Sequence, residues 1–261
     1  MAFDKSNCKL AGAELVTPYN NEDRKSEQVE VMFDAIAPAY DFMNNAMTFG
    51  LHTHWRTKAL DAVGAAVGAT SESPRRILDI ATGTGEVAFE LHRRYPEARI
   101  TGIDLSEGML AVARKKLALL SRQEQTLLSF EQGDSLELQF ADNTFDMVTV
   151  AYGVRNFEHL GKGYEEMGRV LRKRGILCVI ELSEPDNRIT KAMYRLYSRR
   201  IIPAIGKLVS GDSRAYSYLP ESIAVAPQRR EMTRLMEAAG LSRCEWHSLT
   251  FGAVCYYLAI K

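Results

Sequence analysis

The chain has 261 residues, of which 46% are hydrophobic and 25% charged, as in an ordinary soluble domain. The chain has 33 basic residues (lysine and arginine) and 33 acidic ones (aspartate and glutamate). Its net charge therefore does not favour binding to nucleic acid or to an anionic membrane. The four cysteines lack disulfide or zinc spacing, which predicts a reducing, cytoplasmic location and no bound metal. No uncharged run is long enough to cross a bilayer.

The predicted elements begin with a polar, aperiodic arm over residues 1–26, expected to be flexible. Apolar residues then recur at helical spacing over residues 27–60. Pro38 and Gly50 interrupt this pattern. We predict a helical lid over 27–60 that breaks where it passes the binding pocket.

Apolar strands and amphipathic helices then alternate, which predicts an α/β domain with right-handed crossovers. Strands are predicted at 75–81, 99–104, 127–132, 145–151, 175–183, 243–250 and 253–260. Helices are predicted at 85–95, 106–121, 161–173, 189–209 and 228–239, the second with Ser106 as its N-cap. The adjacent antiparallel strands at the end are typical of the class I methyltransferase version of the Rossmann-like fold. We therefore predict a mostly parallel seven-stranded sheet with helices on both faces, in a single domain over 27–261 with a substrate-side insertion at 186–227.

A glycine-rich turn follows the first predicted strand and opens a helix. Gly83 and Gly85 allow a ligand to approach the backbone closely, and Thr84 offers a hydroxyl or an amide. The next strand ends at Asp104, about twenty residues further on, where a carboxylate can accept hydrogen bonds from two ribose hydroxyls. This arrangement predicts an adenosine-containing cofactor.

Two acids at the turn distinguish between the candidate cofactors. Asp79 ends the first strand and Glu86 lies in the first helical turn, where both would repel a pyrophosphate. The amino group and sulfonium of S-adenosylmethionine would instead be attracted. The alternatives are that Asp79 only braces the turn, and that a nicotinamide dinucleotide binds, with Ala88 as the third residue of the fingerprint.

Asp134 and Ser135 follow the third predicted strand, at the position where this fold binds the adenine. Asp134 can accept a hydrogen bond from the exocyclic amine. The alternative is a helix cap after the strand, and capping can coexist with ligand contact.

Four further segments are similar to one family, the C-methyltransferases of ubiquinone and menaquinone biosynthesis. They are Tyr40–Trp55 (YDFMNNAMTFGLHTHW), Tyr152–Asn156 (YGVRN), Arg169–Ser183 (RVLRKRGILCVIELS) and Tyr216–Ile223 (YSYLPESI). The resemblance extends from about residue 27 to the end. Three positions depart from the family pattern: Thr48 replaces a serine, Lys173-Arg174 replaces a proline-glycine, and Ala151 replaces a serine that contacts the cofactor in some relatives.

The resemblance implies methylation of a ring carbon of a polyprenylated quinol, with demethylmenaquinol as the favoured acceptor. The methoxylated benzoquinol of ubiquinone biosynthesis and another small acceptor stay as alternatives. A further alternative is a cofactor-binding scaffold that performs no catalysis. The oligomeric state is left open, with a homodimer among the options.

The chemistry requires a group that stabilises a phenolate and a group that accepts a proton. Arg155 follows the fourth strand and is predicted to hold the phenolate or to orient a water, unless it forms a surface ion pair with Glu158 or another acid. Asn156 is predicted to fix that water or the amino end of the cofactor. His52 titrates near neutrality and is a candidate proton acceptor, although a lone histidine is more often structural.

The lid is predicted to contribute Tyr40, Asp41 and Asn44 to the substrate side, with Trp55 as an anchor in the core. Segment 189–209 mixes apolar and basic residues and is predicted to admit the quinone tail. It could contact the inner face of the membrane weakly and reversibly. The alternative is an ordinary helix packed on the sheet.

Overall fold

The computed structural model describes residues 10–19, 22–70, 73–197 and 213–261. Its strands are β1 (Arg76–Ile80), β2 (Arg99–Asp104), β3 (Leu128–Gln132), β4 (Phe145–Ala151), β5 (Leu171–Leu182), β6 (Ser242–Leu249) and β7 (Val254–Ile260). They form one sheet in the order β3-β2-β1-β4-β5-β7-β6, in which β7 runs antiparallel to both of its neighbours and the other pairs are parallel. The predicted fold class is confirmed.

Helices cover both faces of this sheet. They are α1 (Leu10–Leu15), α2 (Lys25–Ile36), α3 (Tyr40–Thr48), α4 (Leu51–Thr70), α5 (Glu86–Arg94), α6 (Glu107–Leu117), α7 (Arg122–Gln125), α8 (Leu160–Val170), α9 (Arg188–Leu196), α10 (Ser213–Val225) and α11 (Arg230–Ala238). Successive residues of β4 contribute to different cores, since Met147 packs with α4, α5 and α6 whereas Val148 packs with α8 and α11. Burial of both faces explains why β4 and the second half of β5 are largely apolar runs.

The helix α10 was not predicted, and another disagreement with the predicted elements lies at the junction of α8 and β5. Helix α8 was expected to reach residue 173, but it ends at Val170 and the strand begins at once. Leu171 pairs with Phe145 of β4, and a bulge follows before Met147 pairs with Ile176. Pairing with β4 therefore outweighs the local helical pattern, a tertiary effect that periodicity does not reveal.

The arm predicted over residues 1–26 is not loose throughout. Among its described residues, α1 forms a helix and Ala13 is buried. The ammonium of Lys25, itself buried, donates hydrogen bonds to the carbonyl oxygens of Ala13 (2.7 Å), Arg155 (3.2 Å) and Phe157 (3.3 Å). This residue attaches the N-terminal helices to the segment that follows β4.

The lid has the two breaks that the sequence predicts. A short 3-10 turn containing Pro38 separates α2 from α3, and Gly50 separates α3 from α4. The last helix runs past the predicted end at residue 60 as far as Thr70. Trp55 is buried and donates from Nε1 to the Thr250 hydroxyl at 2.7 Å, which confirms its predicted role as an anchor.

The helix predicted over 189–209 is observed as α9 up to Leu196, and its continuation over 198–209 lies outside the described residues. Within the described ranges, no helix is long and apolar enough to cross a membrane.

Burial lowers the pKa of Lys25 to about 8, from an ordinary value of 10.5. Between these values the unfolded chain binds more protons than the folded protein, so the free energy of unfolding should rise with pH, by roughly 3 kcal/mol at most. Lys25→Met removes the titrating group. Urea denaturation of both proteins from about pH 8 to about pH 10 should show wild type gaining stability relative to this variant. A constant difference across this range would contradict the prediction.

Candidate active site

Two adjoining cavities open at the carboxyl edge of the sheet, where the strand order reverses between β1 and β4. With the space at their mouths included, the smaller measures about 740 Å³ and the larger, beneath the lid, about 1950 Å³. The two cavities share six lining residues: Phe33, Tyr40, Ala81, Gly83, Ala151 and Tyr152. A ligand in the smaller cavity can therefore present a group to a second ligand in the larger one.

Asp104 ends β2 on the wall of the smaller cavity. Its Oδ2 accepts a hydrogen bond from the N–H of Gly83 at 2.8 Å, and its Oδ1 accepts one from the N–H of Ser106 at 2.9 Å. Desolvation raises the pKa of this carboxyl to about 6, against these two hydrogen bonds. Each oxygen keeps a second lone pair, so Asp104 can also accept a ribose hydroxyl.

Asp134 and Ser135 line the same cavity, beyond the end of β3. Asp134 Oδ1 accepts a hydrogen bond from the N–H of Leu136 at 2.8 Å, which closes a turn. No helix begins here, so the alternative of a helix cap is wrong. The N–H of Gly133 bonds to the carbonyl oxygen of Asp104 at 3.0 Å, which keeps the predicted ribose and adenine residues side by side.

The two glycines of the turn differ in what their missing side chains allow. Gly83 has φ +57°, and a β-carbon there would meet no atom within 4 Å because it would point into open space. Gly85 has φ +83°, and a β-carbon there would lie 2.8 Å from the Phe89 ring and 2.9 Å from the Phe130 ring. Gly83 thus leaves room for a ligand, whereas Gly85 leaves room for packed aromatic rings and lines neither cavity.

Asp41 connects the lid to the glycine-rich turn. Its Oδ1 accepts a hydrogen bond from the Thr84 hydroxyl at 2.5 Å, and its Oδ2 lies 2.7 Å from Lys116 Nζ. The same ammonium lies 2.8 Å from Glu86 Oε1, and Arg56 Nη2 lies 3.2 Å from Glu86 Oε2. Glu86 is therefore balanced by two cations, and the expectation that it would attract a cationic ligand is wrong.

Asp79 does remain on the wall of the larger cavity, with 1% of its surface exposed. Its two oxygens accept hydrogen bonds from the hydroxyls of Thr82 and Thr149, each at 2.6 Å. Desolvation raises the pKa of this carboxyl to about 6, although both hydroxyls oppose the shift. Asp79 therefore braces the turn and also lines the cavity, and its attraction for a cationic ligand stays a prediction.

Five lid residues that the sequence indicated line the larger cavity, and their contact with the substrate stays a prediction: Tyr40, Asp41, Asn44, His52 and Trp55. Burial raises the pKa of Tyr40, so its hydroxyl keeps its proton. His52 Nδ1 lies 2.8 Å from the Thr48 hydroxyl. Burial, and secondarily the nearby Arg56, lower the pKa of His52, so its imidazole is neutral and able to accept a proton near neutral pH.

Arg155 forms a buried ion pair rather than the surface pair with Glu158. Its Nη1 lies 2.8 Å from Glu181 Oε1, and its backbone N–H donates to Glu181 Oε2 at 3.2 Å. Only 7% of Arg155 and 1% of Glu181 is exposed. Burial lowers the pKa of Arg155, but the charge and hydrogen bond of Glu181 together with the nearby Tyr40 and Tyr218 outweigh burial, so the pKa is raised. Arg155 lines the larger cavity, and its Nε has no hydrogen-bond partner among the described residues.

Asn156 lines the smaller cavity, and its Oδ1 accepts a hydrogen bond from the buried Tyr218 hydroxyl at 3.1 Å. Tyr218, Tyr194 and Tyr197 all line the larger cavity, and sequence reasoning missed them as site residues. The hydroxyl of Tyr197 also donates to the carbonyl oxygen of Met47 in the lid. The available signal was their position, because Tyr194 and Tyr197 lie in the segment predicted to admit the quinone tail and Tyr218 lies in the family-like segment Tyr216–Ile223.

The smaller cavity has the features that an adenosine requires, namely Asp104 for the ribose, a polar turn at Asp134 and open space at Gly83. The adjoining chamber provides room for an acceptor next to the transferable group. Fold and site together define a class I S-adenosylmethionine-dependent methyltransferase. More particularly, the chain belongs to the ubiE/COQ5 methyltransferase family, whose model matches residues 21–261.

Individual relatives agree with this family. The chain is 44% identical over 249 residues to the demethylmenaquinone methyltransferase of Bacteroides fragilis, covering 95% of this chain and 98% of that one. It is 37% identical over 241 residues to the ubiquinone/menaquinone biosynthesis C-methyltransferase UbiE of Stutzerimonas stutzeri, covering 92% and 91%. A methyltransferase structure from Thermotoga maritima is similar in fold, with a TM-score of 0.58 at 18% identity, covering 88% of this chain and 98% of that one.

The two glycines of the turn should respond differently to alanine. Gly83→Ala should cost about 1 kcal/mol of stability from its left-handed backbone, and should weaken S-adenosylhomocysteine binding roughly tenfold or more because the methyl group occupies ligand space. Gly85→Ala should cost about 2–4 kcal/mol because its β-carbon collides with two rings. Urea denaturation and titration calorimetry measure both effects. Wild-type affinity in Gly83→Ala would show that the turn does not contact the cofactor.

Proposed function

We propose that this chain transfers a methyl group from S-adenosylmethionine to a ring carbon of demethylmenaquinol, giving menaquinol. Support comes from the relatives named for this reaction and from one feature of the site. A buried guanidinium, Arg155, lines the chamber next to the cofactor cavity, and its Nε has no partner among the described residues. The oxygen of a phenolate formed in that chamber would accept a hydrogen bond from this Nε.

S-Adenosylmethionine, when bound, supplies an electrophilic methyl group and keeps the carbon–sulfur bonding pair as it becomes S-adenosylhomocysteine. The acceptor first loses a hydroxyl proton, which raises the electron density of the neighbouring ring carbon that forms the new bond. That carbon then loses its hydrogen as a proton and the oxygen is protonated again. The net change is one methyl group gained and one proton released.

The cofactor would be held by three groups of residues. Asp104 would accept from the ribose, Asp134 and Ser135 would contact the adenine, and Gly83 would allow the backbone to approach. Asp79 faces the larger cavity, where it would attract the cationic amino-acid end. Thr84 contributes indirectly, because its hydroxyl is already bonded to Asp41 of the lid.

The acceptor would lie in the larger cavity, which has a mostly apolar lining suited to an aromatic ring and the start of a prenyl chain. The apolar lining comprises Met32, Phe33, Ile36, Met43, Met47, Leu182, Leu219 and Ile223. Arg155 would stabilise the phenolate, since a guanidinium stays charged at any working pH. His52 would accept a proton directly or through water, and Asn156, held by Tyr218, would orient that water.

One alternative acceptor has a specific observation in its favour. The relative from Stutzerimonas stutzeri is named for both quinones. The benzoquinol precursor of ubiquinone has a smaller ring, which the same chamber would admit. Comparing the rates of methyl transfer to demethylmenaquinol and to the benzoquinol distinguishes these substrates.

To test the reaction, purified protein would be incubated anaerobically with methyl-labelled cofactor and chemically reduced demethylmenaquinone. Labelled menaquinol is expected, with less or no product from the benzoquinol. The oxidised quinone should not react, because its ring is electron-poor. Demethylmenaquinone should also accumulate in a strain that lacks the protein. An unchanged quinone pool and no labelled product would reject the proposal.

Arg155→Lys tests the role of Arg155 in this assay. It keeps a cation beside Glu181, which avoids leaving a buried carboxylate unpaired at a cost of about 3–5 kcal/mol. It removes the planar donor group that would hold the phenolate, so we expect at least a hundredfold loss of turnover with S-adenosylhomocysteine binding retained.

We further propose that α9 contacts the inner face of the cytoplasmic membrane, where the polyprenyl tail resides. Its Ile189, Met193 and Leu196 are 73%, 67% and 55% exposed and recur at the spacing of one helical face. Tyr194 of the same helix lines the acceptor chamber. The tail would leave the chamber beside α9.

Vesicle sedimentation tests this contact. Replacing Ile189 and Met193 by aspartate should reduce the pelleted fraction several-fold, because two apolar side chains would no longer enter the acyl boundary. Turnover of a short-tailed acceptor in solution should be unchanged. Equal sedimentation of both proteins would exclude this face of α9 as the membrane contact.

A further inference from the structure

Buried polar atoms without a partner are concentrated at the acceptor chamber. The described residues contain six such side-chain atoms, and three of them belong to residues that line this one cavity: Arg56 Nε, Tyr152 Oη and Arg155 Nε. An unpaired buried donor is costly, so native proteins seldom keep one without a use. Three such donors belong to residues on the wall of a single cavity, where a ligand with acceptor oxygens would satisfy them.

Tyr152 differs from Arg56 and Arg155 because it lines both cavities. It follows the last residue of β4. Arg155 Nη1 donates to the carbonyl oxygen of Tyr152, so the guanidinium folds back onto the peptide of this tyrosine. Arg155 is therefore in direct contact with the backbone of Tyr152, and both residues line the same chamber.

The backbone keeps the ring in this place. Tyr152 has φ +58°, a left-handed conformation that is unfavourable for a bulky residue. Its N–H is bonded to the carbonyl oxygen of Ile180 in β5 at 2.7 Å. A β-carbon on the following Gly153 would lie 2.6 Å from the β-carbon of Ala81, so a glycine is required next to Tyr152. Strain maintained at the junction of two cavities is typical of a functional position.

The charges around this phenol determine what it can bind. Two cations, Arg56 and Arg155, and one carboxylate, Glu181, act on it, with the neutral Tyr40 nearby. Burial raises the pKa of Tyr152, so the hydroxyl keeps its proton and can donate it in a hydrogen bond. Both guanidinium groups are ion-paired, Arg56 with Glu86 and Arg155 with Glu181. The proton on the phenol is therefore what favours an acceptor oxygen over a cationic ligand.

We propose that the Tyr152 hydroxyl donates a hydrogen bond to the acceptor oxygen that becomes the phenolate, next to Arg155 Nε, so that the two residues form one oxyanion site. This inference rests on the proposed function. Tyr152 is then a catalytic residue in its own right, because it contacts the substrate oxygen conjugated to the carbon that is methylated. No bond is formed or broken at Tyr152, and its proton stays on the phenol.

Tyr152→Phe tests the proposal, with Tyr164→Phe as the matched control. Tyr164 also has a buried hydroxyl without a partner among the described residues, but it lies in α8 within the core and lines neither cavity. Tyr152→Phe should lower kcat roughly 10- to 100-fold and leave S-adenosylhomocysteine affinity unchanged. Tyr164→Phe should leave both unchanged.

The pH profile separates this role from a structural one. Losing a donor makes the bound phenolate less stable, so the acceptor ionises at higher pH and the rising limb of activity should move upward by about one pH unit. Naphthol, bound together with S-adenosylhomocysteine, reports the same shift directly through the ultraviolet absorption of its anion. Thermal stability should not fall, because the removed hydroxyl has no partner in the free protein.

The outcomes are distinguishable. Wild-type kcat and an unshifted naphthol titration in Tyr152→Phe would overturn the proposal while leaving the proposed function intact. Weakened S-adenosylhomocysteine binding with an unshifted titration would also overturn it, by assigning the hydroxyl to the cofactor. Absence of methyl transfer by the wild-type protein would instead refute the proposed function, and the naphthol titration would still show whether an oxyanion site exists.

Discussion

The buried ion pair between Arg155 and Glu181 is the interaction on which the site depends. Moving two charges out of water costs several kcal/mol per ion, and only good geometry with additional hydrogen bonds offsets it. Glu181 accepts from the Arg155 side chain and backbone and from the N–H of Leu182. Since Glu181 belongs to β5 and Arg155 follows β4, the pair fixes two strand ends together and directs the guanidinium toward the chamber.

The lid is attached by a different kind of interaction. Asp41 of α3 contacts Thr84 and Lys116, and both Asp41 and Lys116 are partly exposed. Ion pairs in contact with solvent contribute at most about 1 kcal/mol each, so these contacts alone do not hold the lid. Buried side chains hold it as well, since Met43 and Trp55 are buried and Trp55 Nε1 donates to the Thr250 hydroxyl. The lid is thus fixed mainly by its core-facing side chains and more weakly at the glycine-rich turn.

The sequence predicted features that depend on neighbouring residues and missed those that depend on distant ones. Ser106 caps α6 as expected, because a cap is set by its own helix. The start of β5 was placed too late, because its pairing with Phe145 of β4 overrides the local pattern. Glu86 was misjudged because its cations, Arg56 and Lys116, come from α4 and α6. Periodicity and spacing contain no information on such partners.

The preference for a sulfonium over a diphosphate therefore needs a basis other than Glu86, and the backbone of the turn provides one. A pyrophosphate binds to free N–H groups at a glycine-rich turn and helix N-terminus. Here the N–H of Gly83 is bonded to Asp104 at 2.8 Å, and the N–H of Gly85 to the carbonyl oxygen of Thr82 at 2.9 Å. Two donors that a dinucleotide would use are already satisfied, while the carboxylate of Asp79 faces the cavity. A turn that offers acceptors and few donors suits a cationic, phosphate-free ligand.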